Sequence, residues 1–329
     1  MYPTLQLRRS TSLPRPQYNA RRIQSTALPN ALPQLQLSQR RPLSSPSQNS
    51  PPISSRLAGR TCMITGGTSG IGFAIAHRFL QEGAERIILV GRSHERLVTA
   101  ASKLQGTDSK TPLTLQTQTP DLKLHGTLID YSDKINLLVG DVSEAGSWLR
   151  ELEKAMQKVD ILINSAGISN TNILPKTPAS EISLTLRTNL EAAILTSRAL
   201  LRASLRNRLK THTAASKSKC IINISSLLAH RGGTGAVPYA ASKAGILGLT
   251  RSLAVEAAGS VRSNAIVPGY IETPMIAGFS EGVSERLRGS IPVGRFGEAG
   301  EIADAAVFLA GNEYANNCVV SLDGGLSAV

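Results

Sequence analysis

The chain is poor in the residues that build metal and disulfide sites. It has three cysteines and five histidines in 329 residues. Cys62, Cys220 and Cys318 form no Cys-x-x-Cys pair and the histidines are scattered, so a zinc site or a disulfide framework is excluded. Each cysteine falls in or beside an apolar, strand-like run, where a small buried hydrophobe is the expected role. No apolar run is long enough for a secretory signal or a membrane span. The first 56 residues lack Asp, Glu and Lys entirely, yet hold Arg8, Arg9, Arg15, Arg21, Arg22, Arg40, Arg41 and Arg56. Ser, Pro and Gln fill most of the rest, so residues 1–56 are expected to be a disordered tail resembling an organelle transit peptide. The competing reading is a basic arm for nucleic acid. The absence of lysine and of aromatic–basic alternation argues against it. The tail carries eight of the formal net +13, so the remainder is only modestly basic and no nucleic-acid partner is expected.

Residues 57–329 are enough for one α/β domain with a large core. Apolar runs at 62–64, 87–90, 135–139, 161–163, 221–224, 265–267 and 319–322 alternate with helical patterns. That alternation predicts a mostly parallel sheet covered on both faces. Two stretches interrupt it. Gly106 to Asp133 is rich in Thr, Gln, Asp and Ser without clean periodicity and reads as a surface excursion. Arg206 to Lys219 is basic and acid-free and reads as a solvated loop.

Four patterns carry chemistry. Thr65-Gly66-Gly67-Thr68-Ser69-Gly70-Ile71-Gly72 follows a strand-like run and opens a helical one. This is the strand–glycine turn–helix context of a nucleotide phosphate loop. Tyr239 and Lys243 lie four apart at the start of a helix, on one face. There a fixed ammonium is expected to ease ionisation of the phenol. Ser225 and Ser226 end the strand Cys220–Ile224, where open α/β sheets place their ligands; alternation points the two side chains oppositely. After the second strand comes Gly91-Arg92-Ser93. A carboxylate here would bond a ribose 2′-hydroxyl, whereas Arg92 pairs with a 2′-phosphate, so NADP(H) is favoured over NAD(H).

Together these motifs, over Leu57 to Leu326, resemble the short-chain dehydrogenase/reductase family. The likeness includes the glycine motif, Asp141-Val142, Asn164-Ser165-Ala166-Gly167, Thr188-Asn189-Leu190, Ser226, Tyr239, Lys243 and Pro268-Gly269 through Thr273. It departs at Ser165, where the family carries a second Asn. The resemblance implies a single Rossmann-like, doubly wound domain with a seven-stranded sheet. It implies Asn189, Ser226, Tyr239 and Lys243 as catalytic residues. Ser226 and Tyr239 would bond the substrate carbonyl oxygen, and Tyr239 would give its proton. Lys243 would hold the nicotinamide ribose and lower the tyrosine pKa, and Asn189 would hold a water of the proton relay. The cofactor residues so implied are Gly66, Ser69, Gly70, Ile71, Gly72, Arg92, Ser93, Asp141, Val142, Asn164, Ala166, Gly167, Tyr239, Lys243, Pro268, Gly269, Ile271 and Thr273.

The segments Val267 to Met275, Ile291 to Gly297 and Glu301 to Ala303 are similar to those of 3-oxoacyl-acyl-carrier-protein reductases. That similarity implies an acyl-carrier-protein thioester as substrate and partner, NADP(H) as cofactor, a homo-tetramer or hetero-oligomer, and fatty-acid synthesis. With the tail it implies the mitochondrial matrix, or the cytoplasm if the tail is no targeting signal. Two departures are noted. Glu256 to Arg262 lacks the usual Arg-Gly, leaving Arg262 and Lys217 as candidate carrier contacts, and Tyr314 to Cys318 lacks the usual Thr-Gly. The alternatives are a reductase of another small ketone, quinone or sugar, and a cofactor-binding structural subunit. Finally, Ile271 to Arg295 is read as a substrate lid. Its Met275, Ile276, Phe279, Val283 and Leu287 recur at roughly helical spacing.

Overall fold

The structure, a computed structural model, describes residues 55–106, 124–169, 171–211 and 218–329, with backbone alone for 208–211. Nearly all of the tail and most of the first excursion, 107–123, fall outside the described residues, as do 212–217 with Lys217. In chain order come β1 (Thr61–Thr65), α1 (Gly70–Gln81), β2 (Arg86–Gly91), α2 (His94–Leu104), β3 (Thr127–Asp130), β4 (Ile135–Val139) and α3 (Leu149–Ala155). Then follow β5 (Ile161–Asn164), α4 (Ala179–Leu186), α5 (Ala192–Thr211), β6 (Lys219–Ile224), α6 (Leu228–Arg231) and α7 (Val237–Glu256). β7 (Val261–Pro268), α8 (Glu281–Ser290), α9 (Ala299–Gly311) and β8 (Val319–Leu322) complete the described elements.

The strands form one sheet in the order β3-β4-β2-β1-β5-β6-β7-β8. All neighbours are parallel except β3 on β4. Strand alternation divides the core. Cys62, Ile64, Ile87 and Leu89 face one way, against Ile75 and Phe79 of α1, Leu97 of α2 and Ile302 and Val307 of α9. Met63, Ile88, Val90 and Leu162 face the other, against Leu152 of α3, Leu200 of α5 and Leu253 of α7. The chain leaves β1 in one direction for β2 and returns on its other side as β5. The crevice between the carboxyl ends of β1 and β5 is therefore the topological switch point, where such sheets bind ligands. Burial pushes the thiols of Cys62 and Cys220 up, so both are inert core residues.

Four expectations change. The sheet has eight strands among the described residues, not seven. The extra one, β3, lies within the range read as a surface excursion. It pairs antiparallel with β4 through Thr127↔Val139 to Asp130↔Asn136. As an edge strand it leaves Thr127, Leu128 and Asp130 exposed, so it has no apolar alternation to betray it. Arg206 is no loop residue, because α5 runs on to Thr211. Its guanidinium bonds Glu153 of α3 at 3.0 Å, beside Arg202 at 2.6 Å. Arg262 is buried and donates to the carbonyls of Leu309 and Ala310 at the end of α9 and of Ala315 beyond it. It holds that terminus and is not available to a carrier protein. Where the usual Thr-Gly is missing, Asn317 adopts φ 60°, a left-handed conformation that Asn tolerates better than most residues.

Candidate active site

The glycine loop is shaped by contacts that leave no room for side chains. A Cβ on Gly66 (φ +69°) would lie 2.8 Å from Ala166 Cα, and one on Gly72 would lie 2.5 Å from Gly66 O. Gly70 (φ +54°) faces Thr273, whose side chain would stand 3.2 Å from such a Cβ. Thr65 fixes the crevice from β1: its Oγ1 accepts from the N–H groups of Ser165 and Ala166 at 3.1 and 3.2 Å. Ser69, extended at φ −164°, precedes α1 without capping it through its side chain. The first-turn N–H groups at Gly70, Ile71 and Gly72 have no intrahelical acceptors and aim their positive end into the crevice.

At the end of β2 two cations flank this loop. Arg92 has 70% of its side chain exposed, and its Nη1 lies 3.9 Å from Asp141 Oδ2. Arg96, one turn later, reaches Ser69 Oγ at 3.5 Å. Arg96 and Thr65 were not among the expected site residues. The spacing of four from Arg92 was the available signal for Arg96. Ser93 turns its hydroxyl inward as the α2 cap, accepting from Arg96 N at 3.3 Å. Gly91 is backed by Thr68, 3.2 Å from where its Cβ would be, and brings no carboxylate. Asp141 bonds Ser143 N and Oγ through Oδ1 at 2.9 and 2.8 Å, and Val142 is buried beside it. The Asn164 amide is spent inside the fold, on Asn223, Ser197 and Thr196. Small contacts, unspent helix N–H groups and exposed guanidiniums with no opposing carboxylate at Gly91 fit a phosphorylated dinucleotide. The glycine loop would hold the pyrophosphate, and Arg92 with Arg96 a 2′-phosphate.

The reacting end is assembled from β6, α7 and the turn between α4 and α5. Ser225 and Ser226 do point oppositely: the buried Ser225 hydroxyl donates to Lys243 O at 2.8 Å. Ser226 Oγ, half-buried, accepts from Leu228 N at 3.2 Å, which leaves its proton for the Tyr239 oxygen with which it is hydrogen-bonded. Lys243 is buried, donates from Nζ to Ile224 O at 2.9 Å and stands 5.7 Å from the Tyr239 ring centroid. Burial pushes its pKa down to about 8. The expectation that Lys243 lowers the tyrosine pKa is not met in this geometry. Burial raises the Tyr239 pKa, and the Ser226 hydrogen bond is what opposes that rise. Asn189 sits in a π turn, Arg187–Glu191, a widened helical turn frequent at functional sites. Its amide pairs with both backbone groups of Ile168, at 2.8 and 2.9 Å, and donates to Ser242 Oγ at 3.1 Å. Gly167 lies between them: its Cβ would be 3.4 Å from both Asn189 Oδ1 and Lys243 Nζ.

The opposite wall is Pro268 to Thr273. Leu227 N donates to Pro268 O at 2.8 Å, Gly269 N to Leu322 O at 2.8 Å, and Ile271 is buried, bridged to Gly297. Beyond it the chain departs from the expected helical face. Thr273 to Phe279 is turn, Ser280 ends it in an extended conformation, and the helix begins only at Glu281. Pro274 and Gly278 account for the late start. Ile276 and Leu287 pack against Leu227, Ile291, Phe296 and Leu326, while Met275 is 51% exposed. Among the described residues no helix is long and apolar enough to cross a membrane, and no group of three His, Cys, Asp or Glu is placed to hold a metal.

Two family descriptions match the chain: short chain dehydrogenase over residues 60–140 and enoyl-(acyl carrier protein) reductase over residues 128–327. A 3-oxoacyl-[acyl-carrier-protein] reductase of Rattus norvegicus is 34% identical over 81% of the chain and 98% of its own length. The 3-oxoacyl-[acyl-carrier-protein] reductase of Thermotoga maritima is 32% identical over 82% and 99%. Among solved structures, a gluconate 5-dehydrogenase from Burkholderia cenocepacia J2315, in complex with NADP and tartrate, aligns with a TM-score of 0.69. It is 25% identical and covers 84% of this chain and 98% of that one.

Proposed function

The chain belongs to the short-chain dehydrogenase/reductase family and is an NADP(H)-dependent oxidoreductase, and from that premise we propose that it reduces the 3-keto group of an acyl-carrier-protein thioester to the 3-hydroxyl. The observation that carries this reading is the likeness, over nearly their whole length, to reductases of that name. Leu227, Ile291, Phe296 and Leu326 are buried against one another, with Ile276 and Leu287 packed on them, and support the loop that follows Ser226. Met275, 51% exposed, is an apolar side chain of the same segment left open to an acyl chain.

When bound, the reduced nicotinamide supplies a hydride to the carbonyl carbon. The chain's own residues do the rest. The Ser226 and Tyr239 hydroxyls bond the carbonyl oxygen as it gains negative charge, and Tyr239 gives up its proton to complete the alcohol. Lys243 faces the phenol as the nearest cation and would hold the nicotinamide ribose. Asn189 fixes Ile168, and with it the wall in front of Lys243. A second reading, reduction of a sugar-acid ketone, is favoured by the likeness to a gluconate 5-dehydrogenase. NADPH oxidation by the purified protein separates the two. An acetoacetyl thioester or acetoacetyl-carrier protein should be turned over at least ten-fold more efficiently than 5-ketogluconate, and the reverse order would replace the first reading by the second. Residues 1–56 are proposed to direct the chain to mitochondria, on their arginine-rich, acid-free composition.

A further inference from the structure

We propose that His125 is a positioning residue for the adenosine end of the cofactor site, acting through the peptide of Asp141. The inference rests on the nucleotide site and is independent of which ketone is reduced.

Asp141 is held from both sides of its backbone by side chains. Its N–H donates to His125 Nε2 at 2.9 Å. Its C=O accepts from Trp148 Nε1 at 3.0 Å. The two rings stand together, centroids 6.0 Å apart. Trp148 is buried and packs so closely on Gly140 that a Cβ there would lie 2.6 Å from the indole. The carboxylate is thereby directed to Ser143 on one oxygen and toward Arg92 on the other. A backbone N–H held by an aromatic nitrogen in a half-buried place has no freedom to rotate without losing that bond. The aim of the Asp141 carboxylate, and with it the nearest anion to Arg92, is therefore set by His125.

His125 is itself brought there by the strand that sequence patterning did not reveal. Gly126 N donates to Val139 O at 2.8 Å, continuing the β3–β4 ladder by one step toward Asp141. Gly126 has φ +81°, and a Cβ on it would strike Glu151 of α3 at 2.8 Å. Only glycine lets the chain pass this close and deliver the preceding imidazole to the end of β4. The edge strand thus ends in a contact with the cofactor crevice and is more than a cover for the sheet.

The chain holds one tryptophan, so Trp148 emission reports on this place alone. The test compares wild type with His125→Leu, which removes the acceptor, and His125→Gln, whose side-chain oxygen can take the place of Nε2. Binding is measured by titrating NADPH, adenosine 2′,5′-bisphosphate and reduced nicotinamide mononucleotide, with thermal melting recorded alongside. His125→Leu should weaken NADPH and adenosine 2′,5′-bisphosphate about ten-fold, leave the mononucleotide within two-fold, and shift Trp148 emission. His125→Gln should restore binding to within about three-fold of wild type. Unchanged affinity for the bisphosphate in His125→Leu overturns the proposal. So does equal weakening of both fragments, which marks a general loss of structure, or a Gln variant no better than Leu, which reduces His125 to ring packing on Trp148.

Discussion

At the residue scale the site turns on how burial and hydrogen bonding set two proton affinities. Tyr239 is pushed up by desolvation and held back by Ser226, so a neutral phenol waits with its proton available for the carbonyl oxygen. Tyr239→Phe removes that proton and keeps the ring. Turnover should fall by a thousand-fold or more, on the order of 4 kcal/mol in the barrier, while NADPH titration still gives wild-type affinity within a few-fold. Retained turnover would move the acid elsewhere. Lys243 is depressed to about 8 by burial, against about 10.4 in an unfolded chain. Between those values the unfolded chain binds the proton and the native one does not, so stability contributed by this group rises with pH across that window and is flat below it. Urea melts of wild type and Lys243→Met at several pH values check the sign. The wild type should gain on the variant from about pH 8 to about pH 10.4, and a difference that shrinks with pH would contradict it.

At the element scale the crevice is made by loops meeting at strand ends. Thr65, Ser165 and Ala166 lock β1 to β5, and Leu227 locks the β6 loop to Pro268. The phosphate loop was legible because its glycines answer to local geometry that a strand–turn–helix pattern makes explicit. β3 and the π turn at Asn189 were not. An exposed edge strand has no apolar alternation, and one extra residue in a helical turn leaves no periodic mark. The lid reading placed a continuous apolar helix face over 275–287, whereas only its second half is helical. The segment is anchored at Ile271, Ile291 and Phe296, all buried, with Gly278, Gly282 and Gly289 in open space between them. If it closes over an acyl chain, amides from Ile276 to Leu287 should exchange rapidly in free enzyme and slow by ten-fold or more when NADPH and a keto-thioester analogue bind. Equal protection in both states would make α8 a fixed wall.

At the scale of the whole molecule, the nucleotide half and the catalytic half belong to one sheet. The loops at its carboxyl edge carry the glycine motif, Arg92, Asp141, Ser226 and the Pro268–Thr273 wall, and the helical segments add Arg96, Asn189, Tyr239 and Lys243. Among the described residues the buried clusters begin at Leu57. On the arginine-rich, acid-free composition of residues 1–56, a reporter carrying them should enter mitochondria, while the chain without them should keep its melting temperature and NADPH affinity. A cytosolic reporter would remove the targeting proposal and leave the enzyme unaffected.

The sequence alone determined the fold class, the phosphate loop, the Ser226–Tyr239–Lys243 set and the preference for a phosphorylated cofactor. Each is written in local spacing or in a strand–turn–helix context a few residues long. Tertiary structure decided what depends on partners distant in sequence. It set the Tyr239 and Lys243 proton affinities, which follow burial between β6 and α7. It spent Asn164 and Arg262 inside the fold, on acceptors more than thirty residues away. It also carried His125 to Asp141, by way of an edge strand whose exposure hid it. Hydrogen bonds and desolvation act through space, and a pattern read along the chain holds no record of which groups the fold will bring within three ångströms.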